Sequence, residues 1–180
     1  AARMGAKVIL VSAPTSLPVP SGVDFVSVDS AVSMQEAVEA RFNDVNVVIM
    51  AAAVSDFRVL HKAEQKIKKM ESMTIELVKN PDILQGLGSK KSHQILVGFA
   101  AETEHVIKYG QDKVAKKNLD MLVANDVSKS NAGFNVDTNE GYFLYPDKEP
   151  KEMPNMKKSD LARHILREVI DLVANRADIN

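Results

Sequence analysis

The chain has 180 residues, 45% of them apolar and 26% charged, which suits one globular domain with a sizeable core. Its 23 basic and 24 acidic residues nearly cancel, so no general basic excess points to nucleic acid or a membrane surface. It has no cysteine, which excludes disulfides, thiolate catalysis and zinc–thiolate sites, and no apolar run reaches the roughly 20 residues that cross a bilayer. No secretory leader pattern is visible, and a cytoplasmic, reducing setting is expected.

Ala1 to Gly5 reads as the last turn of a helix closed by a glycine, so a strand, a loop and most of a helix are expected upstream. Lys7 to Ser12 (KVILVS) is a compact β-branched run and predicts a buried strand. Ala13 to Pro20 holds three prolines and predicts a surface loop. Val23 to Val28 predicts a short strand. Ser30 then caps a helix whose apolar face is Val32, Met34, Ala37, Val38 and Phe42. Val45 to Ala52 is a second continuous apolar run, expected to be a central parallel strand. Met73 to Val78 alternates and predicts a strand nearer an edge.

Asn80-Pro81-Asp82-Ile83 opens a helix, with Asn80 expected at the cap, Pro81 at the first helical position and Asp82 in the first turn. Ile95 to Phe99 predicts a third central strand, Glu102 to Asn118 a helix, and Leu119 to Ala124 a fourth strand. Asn131 to Asn139 is polar and turn-rich. Gly141 to Tyr145 predicts a short aromatic strand, and Ser159 caps a final amphipathic helix through Ala174. Strands alternating with helices, with continuous apolar runs, predict a Rossmann-like, doubly wound, mostly parallel α/β sheet in a single domain over residues 1–180. An opening strand with a glycine-rich loop is expected upstream of Ala1.

Ligands of such folds bind beyond the carboxyl ends of the strands. After the second apolar run comes Ala51-Ala52-Ala53-Val54-Ser55-Asp56-Phe57. Small side chains let backbone approach a flat ligand, and Asp56 can accept from a ribose hydroxyl or hold Mg²⁺ against phosphates. The alternative is tight strand–helix packing with a solvated aspartate. Lys66 and Lys68 point the same way in an extended chain and can neutralise a triphosphate; the alternative is a solvated loop. Asn80 to Ile83 presents free helix N–H groups to an anion, or simply caps a helix. Phe99 stacks on a base or packs in the core. Lys113 and Lys117, four apart with Lys116 beside them, await an anion or favour the helix dipole. Asn125-Asp126-Val127 follows the fourth strand. His61, His93, His105 and His164 lack metal-ligand spacing, and neither GxGxxG nor a Walker loop is present.

Taken in order, residues 52–57 (AAVSDF), 66–69 (KIKK), 78–83 (VKNPDI), 97–103 (VGFAAET), 116–120 (KKNLD), 124–127 (ANDV) and 133–135 (GFN) resemble the phosphopantothenoylcysteine synthetase family. The chain looks most like the C-terminal synthetase domain of bifunctional bacterial coenzyme A biosynthesis proteins. The resemblance implies a two-step ligation. CTP activates 4′-phosphopantothenate as an acyl-cytidylate with release of pyrophosphate, and cysteine then displaces CMP. Mg²⁺ accompanies CTP, and FMN enters only with a fused upstream decarboxylase. By matched position, Ala51, Ala52, Ala53, Asp56, Asn80, Pro81, Asp82, Ile83, Phe99, Lys113 and Lys117 are implied CTP contacts, and Lys66 the catalytic lysine. A homodimer is implied, with Phe134 to Tyr145 as a dimer-forming segment. The family's N-terminal Gly-Pro-Thr turn and serine- and glycine-rich loop, with its asparagine for the second step, have no counterpart here. Two other readings stay open: an NAD(P)-dependent oxidoreductase on the same fold, and a non-catalytic dimerising module.

Overall fold

The computed structural model describes residues 1–127 and 137–177. A 3-10 turn, Ala2–Met4, ends on Gly5, whose φ of 90° is the left-handed conformation that glycine adopts without a Cβ penalty. Ile9–Ser12 (β1) and Asp24–Ser27 (β2) then pair in parallel. Ala31–Glu39 (α1) starts on Ser30, whose hydroxyl accepts from the Ser33 N–H while the Ser33 hydroxyl accepts from the Ser30 N–H. Met34 and Phe42 of the expected apolar face are buried.

The chain continues through Val47–Met50 (β3), Phe57–Val59 (β4), Leu77–Lys79 (β5), Ile83–Lys90 (α2), Ile95–Glu102 (β6) and Val106–Lys116 (α3). It ends in Met121–Asp126 (β7), Thr138–Leu144 (β8), Lys151–Lys157 (β9) and Lys158–Ala177 (α4). The main sheet has the order β3-β6-β7-β8-β9. Its first three strands are parallel, and β8 and β9 are added antiparallel. Side chains alternate across it. Leu96, Leu122 and Leu144 meet Leu84 and Leu87 of α2 and Val114 of α3. Ile95, Val97, Met121, Val123 and Phe143 meet Leu161, Ile165 and Val169 of α4. Both faces are thus covered, as the continuous apolar runs require.

Several expectations change. The second apolar run is not central: β3 is the edge of the main sheet, and Ile49 is 40% exposed. β5 leaves the main sheet and forms an antiparallel hairpin with β4, a strand the sequence reading missed. β6 runs on to Glu102, and α3 starts only at Val106. β9 was also not foreseen, because KEMPNMK has no alternation and contains Pro154; at the outer edge a proline interrupts little. Ser159 lies inside α4, which begins directly after β9. In the segment expected to form a dimer, residues 134–136 lie outside the described residues, as do residues 133–135 of the GFN motif. The rest is largely β8, whose two edges are taken by β7 and β9, so it has no free edge for a partner strand.

Candidate active site

Register brings the carboxyl ends of three strands together: Met50 of β3 lies opposite Gly98 of β6, and Glu102 of β6 opposite Asp126 of β7. Residues 51–56 leave β3 without regular structure, and Ala51, Ala52, Ala53 and Asp56 are exposed. Their backbone lies open to a ligand because three successive side chains are methyl groups.

Asn80 holds this segment in place. Its Nδ2 donates to the Ser55 carbonyl at 2.9 Å and its N–H to the Asp56 carbonyl at 2.7 Å, while its Oδ1 accepts from Arg58 at 3.1 Å. It is 8% exposed. Its side chain is therefore consumed internally, and Asn80 is not the helix cap. Asp82 is the cap: its carboxylate accepts from the Gln85 N–H at 3.1 Å, and Pro81 lies outside α2. The reason is competition for one side chain, since an asparagine tied to Ser55 and Arg58 has none left for a helix end. Ile83 is core, so its side chain is out of a ligand's reach. Arg58 was missed by sequence reasoning, although its place two residues beyond Asp56 was the available signal.

Lys113 of α3 and Lys117, which closes that helix, face carboxylates. Lys117 lies 3.0 Å from Asp82, and Lys113 pairs with Glu102. Burial raises the Asp82 pKa, but the Gln85 N–H and the neighbouring Lys117 and Lys116 ammonium groups outweigh it and hold the carboxyl below its usual range. Gly88 explains the close approach. A Cβ there would lie 1.9 Å from the Lys117 carbonyl, so only glycine lets α2 rest on the end of α3. Pairs and clasps thus run from Ala51–Asp56 through Asn80 and Asp82 to Lys117, with Lys113–Glu102 farther along α3.

Phe99 is half-buried on the opposite face, packed against the Ile95 cluster beneath α4. Lys66 stands apart. It lies exposed on the arm between β4 and β5, and among the described residues its side chain has no partner. Asn125 and Asp126 belong to β7 itself, and Asn125 Oδ1 is buried with no hydrogen-bond partner among the described residues. Among the described residues no cluster of three or more histidine, aspartate or glutamate side chains can hold a metal. Mg²⁺ in phosphate sites is commonly held by one or two carboxylates with phosphate oxygens supplying the rest, so the lack of such a cluster does not bear on it. No helix among the described residues is long and apolar enough to cross a membrane.

Beside Ala51–Ala53 a groove of about 760 Å³ runs between β1 and β3 over the floor of α1. Its polar end is formed by Ser12, Thr15, Ser30, Ser55 and Asn80.

Comparison with known proteins agrees with this architecture. The profile of the DNA/pantothenate metabolism flavoprotein C-terminal domain family matches residues 1–173. The coenzyme A biosynthesis bifunctional protein CoaBC of Bacillus subtilis is 45% identical over 174 residues, covering 96% of this chain and 43% of that protein. Its Escherichia coli K12 counterpart is 43% identical, covering 94% and 43%. The chain therefore spans under half the length of these relatives. The crystal structure of a CoaBC C-terminal domain superposes with a TM-score of 0.81 at 38% identity, covering 96% of this chain and 78% of that one. A Streptococcus pneumoniae flavoprotein, 17% identical with a TM-score of 0.76, shares the fold. The match across 173 residues, the relatives' identity and the shared fold place this chain in the DNA/pantothenate metabolism flavoprotein C-terminal domain family.

Proposed function

We propose that the chain is a CTP-dependent phosphopantothenate–cysteine ligase domain of coenzyme A biosynthesis. The observation that carries this reading is the convergence of Ala51–Asp56, the α2 cap and the α3 lysines in a chain 45% identical to a CoaBC protein. A carboxylate oxygen of 4′-phosphopantothenate attacks the α-phosphorus of CTP, and the bond to the β-phosphate breaks to release pyrophosphate. The amine of cysteine then attacks the acyl carbon and loses a proton, and CMP leaves.

The residues divide the work. Ala51, Ala52 and Ala53 offer backbone to the cytosine, and Asp56 accepts from the ribose. The N–H groups at Asp82 and Ile83 meet the phosphates, as do the ammonium groups of Lys113 and Lys117, which exchange Glu102 and Asp82 for substrate oxygens. Phe99 shapes the site from beneath. Lys66 neutralises charge building on the α-phosphoryl oxygens, which requires the arm between β4 and β5 to carry it over the strand ends. Mg²⁺ enters with CTP. FMN belongs to a fused decarboxylase domain and not to these residues. The working unit is a homodimer in the cytoplasm. The nicotinamide and non-catalytic readings gain no support from the relatives named above.

A thermal-shift panel of CTP, ATP and NADPH, each with Mg²⁺, tests the site. CTP at 100 times its dissociation constant stabilises by about 2.7 kcal/mol, or about 5–10 °C for a chain of this size. A shift with NADPH alone would overturn the reading in favour of an oxidoreductase. In a complete synthetase domain, Lys66→Ala is expected to lower CTP-dependent pyrophosphate release at least ~100-fold. Unchanged release would remove Lys66 from the mechanism.

A further inference from the structure

We infer that Arg58 is a positioning residue: it fixes the Asn80 amide, and through that amide the backbone that presents Asp56 to the ribose of the nucleotide. Asp56 as the ribose acceptor, proposed above, is the reading on which this role rests. The bonds run in one chain. Nη1 of Arg58 donates twice, to the Lys79 carbonyl at 3.0 Å and to Asn80 Oδ1 at 3.1 Å. Asn80 Nδ2 donates in turn to the Ser55 carbonyl at 2.9 Å, and the Asn80 N–H to the Asp56 carbonyl at 2.7 Å. One residue thus holds two successive carbonyls, and Arg58 orients that residue. An asparagine amide can turn over, exchanging its oxygen and its NH₂ group. Ser55 offers an acceptor and Arg58 a donor, so only one of the two orientations satisfies both. Without Arg58, the Oδ1 of an asparagine that is 8% exposed loses its donor, and the amide loses the group that sets its sense.

Register explains how an arginine reaches this place. Arg58 stands opposite Val78 across the β4–β5 hairpin, so Asn80, two residues beyond Val78, lies diagonally from it on the same face, within reach of a long side chain. Phe57, Val59 and Leu77 of the hairpin are exposed, so little burial fixes its base, and these hydrogen bonds fix it instead. Asp82 caps α2, which leaves the Asn80 amide to hold Ser55 and Arg58. The chain before Asp56 has no regular structure of its own from Ala51 to Ser55, so nothing local sets the direction of the aspartate. Asp56 is exposed, and among the described residues its carboxylate has no partner. An aspartate clamped at its backbone and free at its tip is suited to accept from a hydroxyl, and a small displacement of the clamp misplaces that acceptor.

The preference for CTP over 2′,3′-dideoxy-CTP tests this role, measured as the ratio of kcat/KM for pyrophosphate release by a complete synthetase domain. The dideoxy nucleotide offers Asp56 no ribose hydroxyl. Both substrates meet the same protein, so any loss of folded enzyme cancels from the ratio. The unaltered domain is expected to prefer CTP about 10–100-fold, as a hydrogen bond to a charged group gives. Arg58→Met keeps the apolar stem and removes the donors, and should lower the preference at least about 5-fold. Arg58→Lys keeps a donating nitrogen on a shorter stem and should restore part of it. In an Asn80→Ala background, Arg58→Met should change the preference no further, because its effect passes through that amide. Asp56→Ala separates the role of Arg58 from the reading beneath it. If Asp56→Ala abolishes the preference while Arg58→Met leaves it whole, Asp56 keeps its place and the role of Arg58 is overturned. If Asp56→Ala leaves the preference whole, the ribose reading fails and the role of Arg58 fails with it. A further fall of about 5-fold on adding Arg58→Met to Asn80→Ala would make Arg58 a direct contact and overturn it as a positioning residue.

Discussion

Asn80 and Asp82 stand two residues apart and do different jobs because their side chains have different partners. The amide of Asn80 can donate and accept at once, which suits it to bridge the Ser55 carbonyl and Arg58. The carboxylate of Asp82 only accepts, which suits it to a helix N–H and an ammonium group. Asparagine caps a helix about as well as aspartate, so Asp82→Asn isolates the charge. Because the pair with Lys117 is partly exposed, the expected loss at neutral pH is below about 1 kcal/mol. The folded pKa of Asp82 is lowered, so this stability is present above the ordinary aspartate pKa of about 3.9 and fades as pH falls through the lower folded value. Urea midpoints at neutral pH and at about pH 2 check the sign: the two proteins should differ at the first and converge at the second.

At the scale of elements, one carboxylate ties α4 to the antiparallel half of the sheet beside the apolar contacts of Phe143 and Met153. Glu168 accepts from the Tyr145 hydroxyl at 2.5 Å and pairs with Lys151 of β9. Burial opposes its ionisation, but Lys151 and the Tyr145 hydroxyl outweigh it and lower its pKa; burial and the Glu168 carboxylate push the Tyr145 phenol well above its usual value. Glu168→Gln is expected to cost about 1–3 kcal/mol in chemical denaturation at neutral pH. The raised tyrosine gives stability that is complete below its unfolded pKa of about 10 and declines as pH rises beyond it. The β4–β5 hairpin contrasts with this firm half. Phe57, Val59 and Leu77 are 55%, 45% and 56% exposed, so little burial holds the arm that bears Lys66 to the rest. An arm so lightly held suits the movement that the proposed role of Lys66 requires.

At the scale of the whole molecule, Asp120 joins three distant stretches. It accepts from the Leu96 N–H at 2.7 Å, lies 3.0 Å from Lys91, and meets Arg176 of α4 at 2.5 Å. Its side chain is 9% exposed, as is that of Lys91. Asp120→Ala would leave the Leu96 amide without its acceptor and the buried Lys91 ammonium with the Asn118 carbonyl but no countercharge, and about 3–5 kcal/mol of stability should be lost in guanidinium unfolding. A loss below about 1 kcal/mol would show that water replaces the carboxylate. The node lies at the amino ends of β6 and β7, away from the candidate site, so any surviving folded fraction should bind CTP normally.

The sequence by itself determined the fold class, because short β-branched apolar runs such as Ile95 to Phe99, alternating with longer helical patterns, are the mark of a parallel sheet covered by helices. It determined the cap at Ser30 and most helix positions, where the signal is local and periodic. It also pointed to the segments after β3 and β6 and to the α3 lysines, because strand ends are where such sheets bind ligands. Only the tertiary structure decided that Val47–Met50 is an edge, since an apolar run does not reveal which neighbours it lacks. Only it separated Asn80 from the helix cap, because the Ser55 partner lies 25 residues away in sequence. And only it showed Phe99 beneath the sheet while Lys113 and Lys117 meet their carboxylates on the other face. Which face a side chain takes follows from register and packing across the whole sheet, and these are long-range facts that no local pattern encodes.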